Sequence, residues 1–434
     1  MFHARQTVET KQGNAQLILL EMERIMKQER TYPRVEVTRK AENSIKSGHP
    51  WIYHTELVEG EAGCNDGALV DIISPRGRYL GTGFFNSHSK IRVRLLSTNA
   101  NDRFDEAFWE RRLRYAWEYR KTVMGDDLAC CRVIFGEADS FPGLTVDRFN
   151  DILVTQTLSL GVEQRKSMLF PLLVRILRED GQDIRGVYER NDVAIREREG
   201  MEQNKGFFPL DGGPVPESMQ TEIVENGIRY LVDFENGQKT GFFLDQKYNR
   251  QAVARLSRGK RVLDCFTHTG SFGLNAAKGG AAHVRCVDIS ESAVDMAREN
   301  ARRNGLLDRM DFEAANVFDL LPSLPCGSKS DYDFVILDPP AFTKSRQTVD
   351  HAIRGYKEIN LRAMKLLPRG GYLATCSCSH FMTDALFRDM LRSAAFDAGV
   401  SLRQIEARQQ SPDHPILWNV PETDYLKFYL FQIV

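Results

Sequence analysis

Two short segments of the sequence carry side chains that could act on a nucleobase. The first is Asp338-Pro-Pro-Ala-Phe342, which follows an apolar run typical of a buried strand. Consecutive prolines remove backbone donors and stiffen the chain, so a rigid turn holds the carboxylate. Asp338 could then accept a hydrogen bond from an exocyclic amine or a protonated ring nitrogen of a base. The alternative is an aspartate that caps a helix in a rigid loop.

The second segment is Cys376-Ser-Cys-Ser-His380, which ends the next predicted strand and therefore falls on the same rim of the sheet as Asp338. A thiolate at the mouth of a nucleoside pocket can add to C6 of a pyrimidine, which makes C5 nucleophilic enough to take a methyl group. We favour Cys378 as the nucleophile because it lies nearer the loop, and we expect His380 to lower its pKa. The alternative for either cysteine is a small buried apolar residue.

A candidate cofactor-binding turn lies upstream of both segments. A short apolar strand that Asp264 ends is followed by a turn, Thr267–Gly273, that leads into a helix. Such a turn places backbone N–H groups and a positive helix end beside a ligand, and Asp288, which ends the next strand, suits the two hydroxyls of a ribose. Because Thr267 and Thr269 leave little room for a pyrophosphate, we expect a nucleoside without phosphates, namely S-adenosylmethionine. An ordinary strand–turn–helix is the alternative.

From Gly259 onward, predicted strands and helices alternate regularly. Strands are expected at 261–266, 283–288, 311–315, 333–338, 371–376, 402–407 and 425–433, and helices at 270–279, 291–304, 351–367 and 383–397. Asn316 is expected in a loop at 316–319, where its amide could read the adenine edge or have no role. The alternation predicts an α/β fold with a Rossmann-like, doubly wound, mostly parallel sheet and a ligand site at the carboxyl ends of its strands.

The chain before this sheet is predicted to contain three further parts. Residues 1–34 form a polar N-terminal extension, 35–100 a small β-barrel domain, and 101–235 a linker helix and a central α+β domain. The last domain is then 236–434. Its segment 236–250 is predicted to be a Gly-rich loop that leads into a helix carrying Asp245, Gln246 and Arg250, and the loop either covers the cofactor or connects domains. In the small domain, the loop carrying Lys46, His49 and Trp51 could hold a phosphate and stack a base. Alternatively, it is a surface loop with Trp51 packed into the barrel.

Composition limits the classes of partner. The chain has 434 residues, 42% hydrophobic and 27% charged, and a net charge of −1, so no global charge attracts nucleic acid. No apolar run approaches the roughly 20 residues of a membrane span, and the N-terminus lacks a signal-peptide pattern. The eight cysteines show neither C-x-x-C pairs nor zinc-ligand spacing. We therefore expect a cytoplasmic protein that has reduced thiols, binds no metal and does not associate with a membrane.

The order of six short motifs resembles that of a known family. They are Gly48-His-Pro-Trp51, Ser140-Phe-Pro-Gly-Leu-Thr-Val-Asp147, Lys239-Thr-Gly-Phe-Phe-Leu-Asp-Gln246, Asp264-Cys-Phe-Thr-His-Thr-Gly270, Asp338-Pro-Pro-Ala-Phe342 and Ser377-Cys-Ser379. Residues 237–434 resemble class I S-adenosylmethionine-dependent methyltransferases. Residues 35–434 resemble the bacterial 23S ribosomal RNA large-subunit cytosine-5 methyltransferases, which have an N-terminal PUA domain, a central domain and a Rossmann-like domain.

This resemblance implies roles for particular residues. Cys378 would be the nucleophile and Asp338 would position the base. The residues implied to bind the cofactor are Phe266, Thr267, Thr269, Gly270, Asp288, Asn316 and Asp338. Better-known cytosine-5 RNA enzymes carry a second cysteine beside the motif at Asp338. Ala341 and Phe342 stand there instead, so the acceptor of the C5 proton is unassigned.

Three hypotheses follow for the function. The first is a methyltransferase that forms 5-methylcytidine in ribosomal RNA, acting as a monomer or a homodimer. The second keeps the fold but methylates guanine or adenine, because Asp-Pro-Pro also serves amine methylation and needs no thiol. The third is an RNA-binding or assembly protein that retains a methyltransferase fold without turnover.

Overall fold

A computed structural model describes residues 30–61, 63–210, 215–343 and 345–434. The predicted N-terminal extension lies outside the described residues up to position 29. The chain divides into two compact units. The first contains residues up to Arg112 together with Leu158–Leu169 and Ala194–Glu202, and the second contains Leu113–Thr157, Phe170–Val193 and Gln203–Val434.

The helices and strands of the described residues are numbered in chain order. The helices α1 to α11 are Arg39–Lys46, Glu106–Met124, Leu160–Glu163, Lys166–Glu179, Ile195–Arg198, Lys247–Leu256, Ser271–Lys278, Glu291–Arg303, Val317–Ser323, Val349–Leu366 and Asp384–Ala398. The strands β1 to β10 are Arg34–Val37, Trp51–Tyr53, Leu57–Glu59, Leu69–Ile73, Tyr79–Phe85, Ile91–Ser97, Cys130–Phe135, Leu144–Phe149, Ile152–Thr157 and Gly186–Arg190. The strands β11 to β20 are Lys205–Phe208, Gln220–Glu225, Ile228–Asp233, Arg261–Cys265, His283–Asp288, Met310–Ala314, Phe334–Leu337, Tyr372–Ser377, Leu402–Arg408 and Lys427–Ile433.

The first unit contains a six-stranded sheet in the order β2-β6-β5-β4-β1-β3. Its strand pairs are antiparallel except β1 with β4. Val35 and Val37 alternate with more exposed residues along β1 and lie in the core beside Ile52 of β2 and Val93 of β6. This alternation of buried and exposed residues is the pattern of a strand with one face against a core.

The second unit contains three sheets. A five-stranded sheet has the order β11-β10-β9-β8-β7, and β12 and β13 form a separate hairpin. The largest sheet has the order β16-β15-β14-β17-β18-β20-β19. The first five of its strands are parallel, whereas β20 pairs antiparallel with both β18 and β19. The architecture is the predicted α/β, Rossmann-like, doubly wound sheet, and the parallel strands end at one rim.

Helices cover both faces of the seven-stranded sheet. Val262 of β14 faces a core cluster shared with α6, α7 and α8. Its neighbours Leu263 and Cys265 face a second cluster shared with α9, α10 and α11. Successive strand residues point to opposite faces, so a strand with helices on both sides reads as a continuous apolar run. This explains why the sequence pattern predicted the sheet correctly.

Several local expectations were wrong. The segment 316–319 is not a loop, because Asn316 caps helix α9. Arg39, in the part expected to form a small β-barrel, begins helix α1, since Thr38 accepts a hydrogen bond from the Ala41 N–H and caps it. Strand β12 was missed although the hairpin signal Asn226-Gly227 follows it, with φ angles of +55° and +70° at those residues. Strands β2, β3, β7 and β11 were also missed, since each is short or lacks clear alternation.

Candidate active site

The turn after β14 has an unusual backbone. Phe266 and His268 have φ angles of +63° and +51°, and Gly270 has a φ of +84°. A left-handed conformation at a residue other than glycine costs on the order of 1–3 kcal/mol. Residues in this conformation occur often at ligand-binding sites. A Cβ at Gly270 would lie 3.0 Å from the Cβ of Ala297. The turn therefore requires its predicted glycine and places successive backbone groups at the N-terminus of α7.

A buried carboxylate holds this turn in place. One oxygen of Asp264 accepts hydrogen bonds from the Gly273 N–H at 2.8 Å and from the Thr267 hydroxyl. Burial raises the pKa of Asp264 to about 7, and these two donors partly offset the rise. A Cβ at Gly273 would come within 2.4 Å of the Cys286 Sγ, so no larger residue fits there. Asp264 thus connects the strand, the turn and the first turn of α7.

Asp288 stands at the end of the neighbouring strand β15, as predicted. Its carboxylate accepts hydrogen bonds from the N–H of His268 at 2.9 Å and from the N–H of Ser290 at 3.0 Å. Each carboxylate oxygen keeps a second lone pair, which suits the hydroxyls of a ribose. The buried hydroxyl of Thr269 has no hydrogen-bond partner among the described residues. Asp288 thus offers acceptors and Thr269 an unused hydroxyl beside the turn, which fits S-adenosylmethionine.

Asn316 lies at the end of β16 but uses its amide within the chain. Its Oδ1 accepts from the Phe318 N–H at 3.1 Å, and its Nδ2 donates to Asp319 at 2.9 Å. These contacts are those of a helix cap. A contact between Asn316 and the adenine of a cofactor stays a prediction.

Asp338 follows β17 and is half-buried at the rim of the sheet. Its Oδ1 accepts from Gln246 Nε2 at 2.9 Å, and Gln246 Oε1 in turn accepts from Asn249 at 2.7 Å. Desolvation, followed by the nearby charge of Asp245, raises the pKa of Asp338 to about 6. The carboxylate is thus oriented by an amide and exchanges a proton close to neutral pH.

The two cysteines of the second segment occupy different environments. Cys376 lies within β18 and is fully buried, whereas Cys378 follows the end of the strand and is half-buried. Because β17 and β18 are parallel neighbours, Cys378 and Asp338 lie at adjacent strand ends on the same rim. The structure therefore brings the predicted nucleophile and the predicted base-positioning carboxylate together.

The expectation that His380 lowers the pKa of Cys378 is wrong. Desolvation raises the pKa of Cys378 to about 11, and Asp338 and Asp245 add to the rise. The positive group that opposes them is Lys239, and His380 is not among the principal causes of the shift. Lys239 lies over the ring of Phe243, with Nζ 4.9 Å from the ring centroid. The rings of Phe243 and His268, in the candidate cofactor-binding turn, have their centroids 5.1 Å apart.

Sequence reasoning missed the roles of Asp245 and Gln246 in the segment 236–250. Gln246 orients Asp338, and Asp245 accepts a hydrogen bond from the Tyr425 hydroxyl at 2.7 Å. The second oxygen of Asp245 is buried and has no hydrogen-bond partner among the described residues. Burial opposes ionisation of Asp245, but the nearby His414 and Lys239 side chains lower its pKa, so it is ionised. The motif Lys239–Gln246 was visible in the sequence, but its partners lie far along the chain.

The three residues predicted to bind RNA lie together in the first unit. Lys46 ends helix α1, and the His49 ring meets the Trp51 ring edge-on at 5.6 Å. Trp51 is only half-buried in β2, and the guanidinium of Arg94 lies 6.0 Å from its ring centroid. The indole therefore packs partly into the domain, and part of it faces solvent beside cationic groups. RNA binding by these residues stays a prediction.

Within the described ranges, no helix has the length and hydropathy of a membrane span. No group of three or more His, Cys, Asp or Glu side chains there is arranged to hold a metal ion.

Comparison with known proteins places this geometry in a family. The profile of the S-adenosylmethionine-dependent methyltransferase family matches residues 210–432, and that of the PUA-like domain matches residues 35–98. The ribosomal RNA large subunit methyltransferase I of Klebsiella pneumoniae (strain 342) is 37% identical over 405 residues, which cover 93% of this chain and 99% of the relative. The protein of the same name from Aeromonas salmonicida is 41% identical over 389 residues, or 89% and 96% of the two chains.

Solved structures confirm the fold. A Streptococcus mutans protein described as a SAM-dependent methyltransferase superposes with a TM-score of 0.76 at 22% identity, covering 92% of this chain and 100% of that one. A methyltransferase structure complexed with SAH gives a TM-score of 0.77 at 22% identity, with the same coverage. This protein therefore belongs to the family of the ribosomal RNA large subunit methyltransferase I proteins, which are S-adenosylmethionine-dependent methyltransferases with a PUA-like domain.

Proposed function

We propose that this protein methylates carbon 5 of a cytosine in large-subunit ribosomal RNA and that Cys378 is the nucleophile. One observation carries the proposal: the half-buried thiol of Cys378 follows β18 at the rim where Asp338 follows the adjacent strand β17. Amine methylation needs the carboxylate but no thiol. The pair matches the two needs of cytosine-5 chemistry, which are a nucleophile for C6 and a group that orients the ring.

The cofactor S-adenosylmethionine, when bound, supplies an electrophilic methyl group. In the proposed reaction, the thiolate Sγ of Cys378 forms a bond to C6 of the cytosine, and the displaced electron pair makes C5 nucleophilic. After C5 has taken the methyl group, its proton leaves to a base. The Sγ–C6 bond then breaks, which restores both the thiolate and the C5–C6 double bond.

Asp338 has the properties of the group that orients the cytosine. Its carboxylate, held by Gln246 Nε2 at 2.9 Å, can accept from the exocyclic amine and share a proton with the ring nitrogen N3. Its pKa of about 6 leaves it mostly ionised at neutral pH but close enough to neutrality to exchange that proton. Attack at C6 pushes negative charge toward N3, so a proton shared there would stabilise the adduct.

Two observations support ribosomal RNA as the substrate. The relatives that cover nearly the whole chain carry ribosomal RNA in their names. The first unit matches the PUA-like family and presents Lys46, His49 and the half-buried Trp51 on one segment. Cationic and aromatic side chains on one surface are the combination that binds RNA phosphates and unpaired bases.

Identification of the methylated nucleoside tests the proposal. The protein is incubated with large-subunit ribosomal RNA and S-adenosylmethionine labelled in the methyl group, and the RNA is digested to nucleosides for chromatography and mass spectrometry. We expect the label in 5-methylcytidine. Label in a methylated guanosine or adenosine would contradict the proposal and favour the amine-methylating alternative. S-adenosylmethionine binding without transfer to any RNA would favour the non-catalytic alternative.

A further inference from the structure

A groove lies beside Cys378 in the second unit and plays no part in the reaction described above. It has a volume of about 790 Å³, within the range of ligand-binding pockets, and its lining includes His380, Arg388, Arg408, Trp418, Asp424 and Lys427. We call it the C-terminal groove. All of its residues come after the proposed nucleophile in the sequence.

The strand register places this groove at the rim that carries the nucleophile. Lys427 begins β20 and pairs with Ser377, the last residue of β18, and Arg408 ends β19 opposite Phe428. The ammonium group of Lys427 donates to the carbonyl of Ser379 at 2.7 Å. Burial lowers the pKa of Lys427 to about 8, and this lysine acts by tying the chain beside Cys378 to β20. The groove therefore begins next to the proposed catalytic thiol.

Trp418 is the most unusual side chain of the groove. Its indole is 98% exposed, whereas Trp109 and Trp117 are fully buried and Trp51 is half-buried. An exposed indole offers a flat surface of the size that a nucleobase covers when it stacks. Such a stack requires an unpaired base, since bases within a duplex already stack on their neighbours.

The charged groups around Trp418 favour an anionic ligand. Arg388 has half of its side chain exposed, and its ion pair with Asp384 is long at 3.8 Å. Arg408 is one-third exposed and donates to Glu406 at 3.0 Å and to Asn249 at 3.1 Å. The two acids of the lining are already engaged, because Asp384 accepts from the Tyr429 hydroxyl and Asp424 accepts from Gln409 at 3.2 Å. Arg388 is therefore the less committed of the two arginines, and the basic residues of the lining, Arg388, Arg408 and Lys427, outnumber its two acids.

We propose that the C-terminal groove binds a single-stranded RNA segment next to the target cytosine, with Trp418 stacking on an unpaired base and Arg388 and Arg408 contacting phosphates. This inference rests on the proposed RNA substrate and extends it: the target would be an unpaired stretch of RNA. A second copy of the chain is the other occupant that an exposed tryptophan could bury, and the test below distinguishes the two.

The test measures binding of a single-stranded RNA of about ten nucleotides to the full chain. The variants are Trp418→Ala, Trp418→Phe and Arg388→Gln, and the matched control is Phe396→Ala, which removes an 85% exposed aromatic ring on α11 outside the groove. We expect Trp418→Ala to weaken RNA binding about 5- to 100-fold, and Trp418→Phe and Arg388→Gln to weaken it less.

The control Phe396→Ala should bind the RNA with the affinity of the wild type. In the wild type, RNA should quench tryptophan fluorescence, and the part of that quenching due to Trp418 should be absent in Trp418→Phe.

Three results would overturn the inference. They are unchanged RNA affinity in Trp418→Ala, an equal loss in Phe396→Ala, and a halved molecular mass of Trp418→Ala by light scattering with unchanged RNA affinity. The last result would assign the groove to a second copy. The binding measurement needs no methyl transfer, so its failure is distinct from failure of the proposed cytosine chemistry. Calorimetry with S-adenosylmethionine should give the same affinity for all variants, which shows that they are folded.

Discussion

The thiol of Cys378 is protonated in the resting protein. Desolvation raises its pKa to about 11, so at pH 7 only about one molecule in ten thousand carries the thiolate. Lys239 opposes this shift, and it lies against Phe243, whose ring contacts the cofactor turn at His268. Its position suits a cation that favours the thiolate while the substrate is bound.

The pH dependence of the reaction follows from this environment. Because attack requires the thiolate, kcat/KM is expected to rise about tenfold per pH unit between pH 7 and 9. Below about pH 6 it should fall further, since protonation of Asp338 removes the acceptor that orients the base. The measurement is the initial rate of methyl transfer to RNA across pH 5 to 9. A flat profile above pH 7 would contradict the assignment of a buried thiol as nucleophile.

Replacement of Lys239 should act through the same ionisation. Lys239→Gln removes a positive charge that lowers the pKa of Cys378, so the profile should shift to higher pH and the rate at pH 8 should fall several-fold. Lys239→Arg keeps the positive charge, so its rate at pH 8 should lie between that of the wild type and that of Lys239→Gln. Lys329→Gln, which removes an exposed lysine elsewhere in the unit, is the control and should leave the profile unchanged. If Lys239→Gln lowered the rate by the same factor at every pH, Lys239 would have a role other than lowering the pKa of Cys378.

Asp264 connects strand β14 to helix α7. It lies in β14, accepts a hydrogen bond from the Gly273 N–H of α7 and holds the turn between them. Its folded pKa of about 7 lies above the ordinary value of 3.8, so its contribution to stability is present below about pH 4 and is lost as pH rises through 7. The turn therefore holds a carboxyl group that resists ionisation.

The variant Asp264→Asn should relieve this pH dependence. Between pH 4 and 7 the wild type is expected to lose stability relative to the variant by up to about 1.4 kcal/mol per pH unit. Urea denaturation of both proteins at pH 5, 6 and 7 gives the two free energies of unfolding. A difference between them that stays constant with pH would show that Asp264 ionises in the folded state as it does in the unfolded chain.

The elements of the seven-stranded sheet could be predicted from the sequence, but their cross-connections could not. Strand β15 was predicted with its observed bounds, and the two rim residues Asp338 and Cys378 followed from strand order. Apolar runs and turns are local signals, so they are visible in one sequence. The bond from Gln246 to Asp338 spans 92 residues, and the bond from Tyr425 to Asp245 spans 180. Only the fold brings such pairs together.

The whole molecule consists of two compact units, and the candidate cofactor residues all belong to the second. A ligand that binds only the folded second unit stabilises it by about 2.7 kcal/mol at 100 times its Kd. Saturating S-adenosylmethionine should therefore raise the unfolding temperature of the second unit and leave any separate transition of the first unit in place. Differential scanning calorimetry measures both transitions.

The control ligand for this experiment is adenosine diphosphate. The turn from Phe266 to Gly270 offers no phosphate cradle, since threonines flank His268, so the diphosphate should give no shift. Equal stabilisation by the two ligands would contradict the assignment of the turn to a nucleoside cofactor without phosphates.

A covalent adduct between Cys378 and a cytosine can be trapped. RNA that carries 5-fluorocytidine cannot release a proton from C5, so the reaction should stop with the Cys378 Sγ bonded to C6 after methyl transfer. We predict a protein–RNA complex that survives denaturation, requires S-adenosylmethionine, persists in Cys376→Ala and disappears in Cys378→Ala. Mass spectrometry of the digested complex should locate the nucleotide on the peptide containing Cys378. Methylation of ordinary RNA without any trapped complex, or a complex that survives in Cys378→Ala, would contradict nucleophilic attack by Cys378.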